Sequence, residues 1–235
     1  MSEVAVVPDV AQAAAEIFLE ATAGAVAARG RAAVALTGGS SAAPLFKALS
    51  PKIPWDALQI FFTDERAVAL DDELSNYRIA QETLLSKVPA ESVHRMRGEV
   101  RDLDAEALRI SRDLKATLGT PPRFDLMLLG LGPDGHILSL FAGVPGSGQR
   151  GDDELVRHVK APEHVEPRVE RLTLTPFTVI TARTVVLQVT GAKKADMLAR
   201  ALKGPEDLVG CPAQWLRKAS GRVVVVCDAE SASKL

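Results

Sequence analysis

Asp134 and His136 stand two residues apart in the turn Gly130-Leu131-Gly132-Pro133-Asp134-Gly135-His136, which follows the apolar run 124–129. An imidazole titrates near neutrality, so it can take a proton and return it within one reaction cycle. A carboxylate two residues away can accept the other ring N–H and fix the tautomer. A structural histidine, hydrogen-bonded within its own turn, would give the same string. His94, His158 and His164 lie in polar stretches and are expected at the surface. The chain has no GxSxG elbow, so a covalent acyl-enzyme is not suggested. A single acid/base histidine suits the activation of water.

Three further turns carry residue types suited to an anion. Thr37-Gly38-Gly39-Ser40-Ser41 separates a short apolar run from a helical pattern. Two glycines there allow successive backbone N–H groups to converge on an anion, phosphate above all. The same glycines would serve a tight turn with positive φ. The GK[ST] of a nucleotide loop is missing. Asp64-Glu65-Arg66 follows the run 58–62. Arg66 suits bidentate contact with a phosphate or carboxylate, and Asp64 suits a sugar hydroxyl or a supporting role. Three adjacent charges are otherwise an ordinary solvated loop. Lys193 and Lys194 open a helical stretch, where cations oppose the helix dipole unless a dianion is bound; snorkelling surface charge is the plainer alternative. Arg171 begins a strand-like run and adds a further cation. Residues 130–135 also match GxGxxG, but Asp134 places a negative charge where a pyrophosphate would lie. Pro133 removes an N–H, and no strand ending in an acidic residue follows about 20 residues on.

The elements that must position these groups follow from the spacing of apolar residues. Short apolar runs at 4–7, 32–36, 58–62, 93–96, 124–129, 184–189 and 223–227 read as strands, with smaller ones at 156–160 and 171–175. Helical patterns cover 10–28, capped by Asp9 and ended by Gly30, and then 42–49, 75–85, 102–118 and 192–202. A short helix from Pro176, a helix opening at 137–141 and a helical stretch at 211–219 complete the reading. The glycine-rich segment 143–153 lacks periodicity and reads as a mobile surface loop. Strands alternating with helices predict an α/β fold with a mostly parallel sheet. Ligands of such sheets sit beyond the carboxyl ends of the strands.

The chain has 235 residues, of which 47% are hydrophobic and 25% charged, with a net charge of −2. This is ordinary globular composition, enough for a large core, and is read as a single unit over 1–235. The charge balance argues against nucleic acid as a partner. No apolar stretch is read as a membrane span, and the N-terminus lacks the form of a signal peptide. A cytoplasmic location is the expectation. Cys211 and Cys227 have no metal-ligand or CxxC spacing and are expected as buried thiols.

Taken together, TGGS (37–40), FFTDER (61–66), SNYR (75–78), FDLMLLGLGPDGH (124–136), SLF (139–141), RLTLT (171–175) and the Lys194-Ala195 pair resemble the 6-phosphogluconolactonase family. That family lies within a larger group that includes glucosamine-6-phosphate isomerase/deaminase. The resemblance spans nearly the whole chain in the family's order. It implies a Rossmann-like α/β fold, its mostly parallel sheet flanked by helices on both faces. The implied activity is hydrolysis of 6-phospho-D-glucono-1,5-lactone in the oxidative pentose phosphate pathway, on a small-molecule phosphosugar, without a cofactor or metal. It carries the catalytic histidine to His136, for which Asp134 is the orienting carboxylate already read from the turn. It carries the phosphate site to Gly38, Gly39, Ser40, Arg66 and Lys194, with Arg171 nearby and Asp64 beside them. A monomer or homodimer is expected. The related isomerases have a glutamate five residues after the histidine; here that position is Phe141, which favours the hydrolase. An isomerase/deaminase and a non-catalytic sugar-phosphate sensor are the alternatives. The chain departs from the lactonase pattern at Ile137, Leu138 and Ala142.

Overall fold

A computed structural model describes residues 2–39, 42–49, 52–152 and 154–235. In chain order, the strands and helices begin with β1 (Glu3–Val6), α1 (Val10–Arg29), β2 (Ala32–Leu36) and α2 (Ala42–Ala48). Next come β3 (Leu58–Phe62), β4 (Asp64–Arg66), α3 (Asn76–Thr83), β5 (Val93–His94), α4 (Leu103–Leu118) and β6 (Leu126–Gly130). The last are β7 (Val156–Val159), β8 (Arg171–Leu174), α5 (Pro176–Thr181), β9 (Thr184–Val189), α6 (Ala195–Lys203) and β10 (Arg222–Cys227).

Among the described residues, seven strands form a parallel sheet in the order β1-β10-β9-β6-β2-β3-β5. Successive side chains of a strand point to opposite faces. Ala33 and Ala35 of β2, Met127 and Leu129 of β6, and Val223 and Val225 of β10 therefore enter one apolar layer. That layer also takes Ile110 and Leu114 of α4 and Leu198 of α6. Val34, Leu126, Leu128, Val224 and Val226 enter the opposite layer, with Phe18 of α1 and Phe46 of α2. Burial on both faces explains why these strands read as continuous apolar runs.

The order of the strands decides where a ligand can sit. From β2 the chain moves outward through β3 to β5. It then returns to β6 on the other side of β2 and moves outward again through β9 to β10. The direction reverses between β2 and β6, so the loops leaving their carboxyl ends diverge and leave a crevice. The 37–39 turn follows β2, and the turn bearing His136 follows β6.

A second, antiparallel sheet, β4-β8-β7, stands at the same end. It joins the main sheet through Thr63, whose N–H donates to Leu36 O at 2.8 Å and whose carbonyl accepts from Leu174 N at 2.9 Å. The expected strand ends are otherwise close to those observed. Asp9 caps α1 by accepting from Gln12 N at 2.9 Å, and Gly30 closes that helix with φ 74°.

Three expectations need correction. Residues 137–141 do not open a helix. Leu138 has φ 57°, a left-handed conformation that no α-helix admits. Ser139 is drawn instead to the second sheet, its N–H donating to Thr173 Oγ1 at 3.0 Å and its hydroxyl to Asp64 Oδ2 at 2.7 Å. The helical stretch expected at 211–219 is observed as a 3₁₀ helix over Pro212–Lys218. The 143–152 segment is bonded along its length: Gly143 N donates to Val209 O at 2.9 Å, and Trp215 Nε1 donates to Ser147 O at 2.8 Å. Asp153 lies outside the described residues. Finally, α1 is long and apolar enough to cross a membrane by length and composition. Its buried residues Val10, Ala14, Ala15, Phe18 and Ala25 pack in the layer over the sheet.

Candidate active site

The turn after β6 is folded around one contact. Asp134 Oδ1 lies 2.5 Å from His136 Nδ1 and also accepts the His136 backbone N–H at 3.3 Å. Gly132 N–H donates to His136 O at 2.8 Å, and Gly135, with φ 89°, accepts at its carbonyl from Ala213 N at 2.9 Å. A Cβ on Gly132 would fall 2.1 Å from His136 Nδ1, so the ring occupies the space that any other residue would need. Burial raises the Asp134 carboxyl, but the hydrogen bond and charge of His136 outweigh it and hold the group well below the usual carboxylate range. An ionised Asp134 assigns the proton to Nδ1. Nε2 is then left with its lone pair, as a base requires.

His136 lines a cavity of about 260 Å³ at the switch between β2 and β6. Gly38, Gly39, Asp64, Arg66, Arg171 and Lys194 line the same cavity. The structure thus brings together seven of the nine residues singled out from the sequence. Asp134 stands behind His136 rather than in the wall, and Ser40 lies outside the described residues.

The cations reach the cavity by different routes. Arg66 of β4 and Arg171 of β8 are register partners across the small sheet. Like charges directly opposite each other are unfavourable unless something negative lies between them. Asp64 faces Arg171, its Oδ2 4.0 Å from Arg171 Nη1. It is already engaged by Ser139 at 2.7 Å and by Asn76 Nδ2 at 3.2 Å. Arg66 Nη1 donates to Leu74 O at 2.6 Å and Arg171 Nη2 to Pro167 O at 3.1 Å. Among the described residues, the Nε of each arginine is buried without a partner. Buried donors left unpaired are costly, and a bound anion would satisfy both. Burial lowers the Arg171 guanidinium, with Asp64 opposing that shift. Burial likewise lowers the Lys194 ammonium, with Asp228 opposing. Lys194 is half-buried against the cavity, whereas Lys193 is exposed.

Sequence reasoning missed several supporting groups. Glu65 is a cap rather than a binding group. Its buried carboxylate accepts from Asn76 N and Tyr77 N, both at 2.8 Å, and so holds the start of α3. Burial raises this carboxyl against those backbone N–H groups. Asn76 bonds Asp64 O at 2.9 Å, and a Cβ on Gly38 would fall 1.8 Å from Asn76 Oδ1. Gly38 is therefore required by close approach. The SNYR and SLF motifs were the available signals for Asn76 and Ser139. His94 and His158 are less superficial than expected. His94 bonds Asp113 and Gln59, both at 2.8 Å, and stacks on Phe61. His158 lies between Asp104 and Glu170. His164 is exposed, yet its Nε2 lies 3.4 Å from Asp134 Oδ2.

Fold and site define an α/β protein with a cationic pocket faced by an aspartate-oriented histidine. The chain belongs to the glucosamine-6-phosphate isomerases/6-phosphogluconolactonase family, whose model matches residues 7–225. It is 37% identical over 252 aligned positions to a 6-phosphogluconolactonase of Mycobacterium tuberculosis, covering 100% of this chain and 98% of the relative. A 6-phosphogluconolactonase of Synechocystis is 33% identical over 218 positions, covering 90% of this chain and 88% of the other. Among solved structures, the 6-phosphogluconolactonase of Trypanosoma brucei superposes with a TM-score of 0.88 at 27% identity, covering 100% of this chain and 99% of that one.

Proposed function

We propose that this chain hydrolyses 6-phospho-D-glucono-1,5-lactone to 6-phosphogluconate, the lactone-opening step of the oxidative pentose phosphate pathway. The family and the full-length relatives support the reaction. The observation that carries the residue assignment is the pairing, across one cavity, of an Asp134-held imidazole with two arginines whose Nε atoms are unpartnered.

The phosphate dianion sits between Arg66 and Arg171, with Lys194 and the backbone of Gly38 and Gly39 beside it. Ser40, the next residue in the sequence, is proposed as a further phosphate ligand. His136 Nε2 takes a proton from water as the water oxygen bonds to the lactone carbonyl carbon. The carbonyl oxygen becomes an oxyanion, stabilised by cations and backbone N–H groups of the pocket. Collapse breaks the bond to the ring oxygen, which takes the proton from the imidazolium. The products are the open-chain acid and a free hydroxyl, and His136 is again neutral. Asp134 stays ionised throughout and keeps Nδ1 protonated. Asp64, held by Ser139 and Asn76, faces the sugar. The reaction needs no cofactor. The proposal takes 1–235 as one functional unit, acting in the cytoplasm on a diffusing phosphosugar.

Phe141 fills the position of the isomerases' glutamate. It is buried, with its ring centroid 5.4 Å from that of His136 and 5.3 Å from the Arg171 guanidinium carbon. It offers no proton carrier for carbon-to-carbon transfer. The test is hydrolysis of freshly made lactone, corrected for spontaneous opening. Wild type should be active, and His136→Asn should lose at least about 100-fold in kcat, the contribution of one acid/base group. Near-normal turnover in that variant removes His136 from the mechanism. Ammonia release from glucosamine 6-phosphate, without lactone hydrolysis, overturns the reaction.

A further inference from the structure

Asp134 has two carboxylate oxygens, and only one is used by His136. Oδ2 is buried and, among the described residues, has no hydrogen-bond partner. The group nearest to supplying one is the imidazole of His164, whose Nε2 stands 3.4 Å away, at ion-pair distance but without a formed hydrogen bond. His164 comes from a different part of the chain, the segment between β7 and β8. Val165 N–H donates to Pro162 O at 3.0 Å, and Val169 N–H donates to Pro167 O at 2.9 Å. The Pro167 carbonyl also accepts from Arg171 Nη2 at 3.1 Å. A phosphate-site arginine therefore ties down the segment that carries His164.

We propose that His164 is a positioning residue, which holds Asp134 through its second oxygen and so fixes the plane of the carboxylate that orients His136. This rests on the reading of His136 as the acid/base group. The physical reason is geometric. A carboxylate held at one oxygen can rotate about its Cβ–Cγ bond and spoil the alignment of its contact to Nδ1. A donor on the second oxygen removes that freedom, as the outer partners of ligating histidines do in metal sites. The separation is already within reach of a hydrogen bond, and the step proposed is a rotation of the exposed His164 ring that aligns its Nε2–H with Oδ2. His164 is half-exposed, with 53% of its side chain accessible, and so free to make that rotation.

Three variants and one spectrum test this. His164→Ala should lower kcat about tenfold with KM unchanged, by analogy with the loss of other outer-shell partners. His164→Gln, which keeps an N–H donor, should recover most of that loss. The proton spectrum of the ligand-free protein should show the His136 Nδ1 proton far downfield, and His164→Ala should broaden or move it, whereas His164→Gln should not. His136→Asn is the control. If that control is inactive while His164→Ala keeps wild-type kcat and an unmoved Nδ1 proton, the role of His164 is wrong and His136 stands. A His164→Ala loss that falls on KM, or that Gln does not relieve, overturns the positioning role as well. If the control is fully active, the reading of His136 fails and this inference falls with it.

Discussion

A carboxylate set against an imidazole can do two things, hold it or exchange a proton with it, and the charge state of Asp134 decides between them. The hydrogen bond from His136 keeps Asp134 ionised despite its burial. A group held so low does not take the proton at any working pH. Its role is to fix the tautomer and to stabilise the imidazolium. Asp134→Asn tests this. An amide can turn its carbonyl or its NH₂ toward Nδ1, and the second choice puts the proton on Nε2, where the base should be. The expected loss in kcat is on the order of 10²–10⁴-fold with KM little changed. Steady-state kinetics on the lactone would show it, and a loss confined to KM would place Asp134 in binding instead. His136 and its aspartate were legible in the sequence because a turn rich in glycine has few reasons to hold two ionisable groups. His164 was not legible, since nothing local marks a residue that reaches its partner from 30 positions away.

At the scale of elements, what could be read and what could not divide along the range of the interactions. Caps are local, and Asp9 and Gly30 fall where the sequence placed them. The 32–36, 58–62 and 223–227 strands were legible because burial on both faces leaves an unbroken apolar run. The three-residue strand β4 was not, because its residues are all charged and only its pairing with β8 makes it a strand. The same distant sheet captures Ser139 and turns an expected helix into a tight turn. Glu106 shows a further hidden link. Its buried carboxylate accepts from Arg97 Nη2 and Arg109 Nη2, both at 2.6 Å, and from Arg97 N at 2.9 Å. This clamps α4 to the segment at Gly98, where a Cβ would fall 2.0 Å from Arg66 O. Burial raises the Glu106 carboxyl, but Arg109 and Arg97 outweigh it and bring it down to about 2 from 4.5. A depressed carboxyl contributes stability above its unfolded value. That contribution fades as pH falls from 4.5 through about 2. Glu106→Gln should therefore cost about 1.5–3 kcal/mol at pH 7, the worth of a charged hydrogen bond. The gap from wild type should narrow toward pH 3. Urea denaturation at the two pH values measures it, and a gap independent of pH would mean that packing, not charge, is lost.

The site exists only because the whole molecule folds back on itself. Its histidine comes from β6, its glycines from the end of β2, its lysine from the turn after β9, and its arginines from a second sheet attached beyond β3. No contiguous stretch could bind the phosphate, so binding and global stability should be linked. A ligand that binds only the folded state adds about 2.7 kcal/mol at 100 times its Kd. For a chain of this size each kcal/mol raises Tm by roughly 2–4 °C. Saturating 6-phosphogluconate, the product, should thus raise the midpoint by about 5–10 °C in wild type. Arg171→Ala should lose most of that rise. The variant relieves one of two facing guanidiniums but also removes the bond to Pro167 O and the cation facing buried Asp64, so its rise is measured against its own ligand-free midpoint. His136→Asn, by contrast, should keep the full rise, because that ring works on the lactone end of the substrate. Thermal melts of the three proteins, with and without product, separate the two halves of the site. If Arg171→Ala responds to product as strongly as wild type, the phosphate does not sit between Arg66 and Arg171. The unpaired Nε atoms would then have to be satisfied by some other anion.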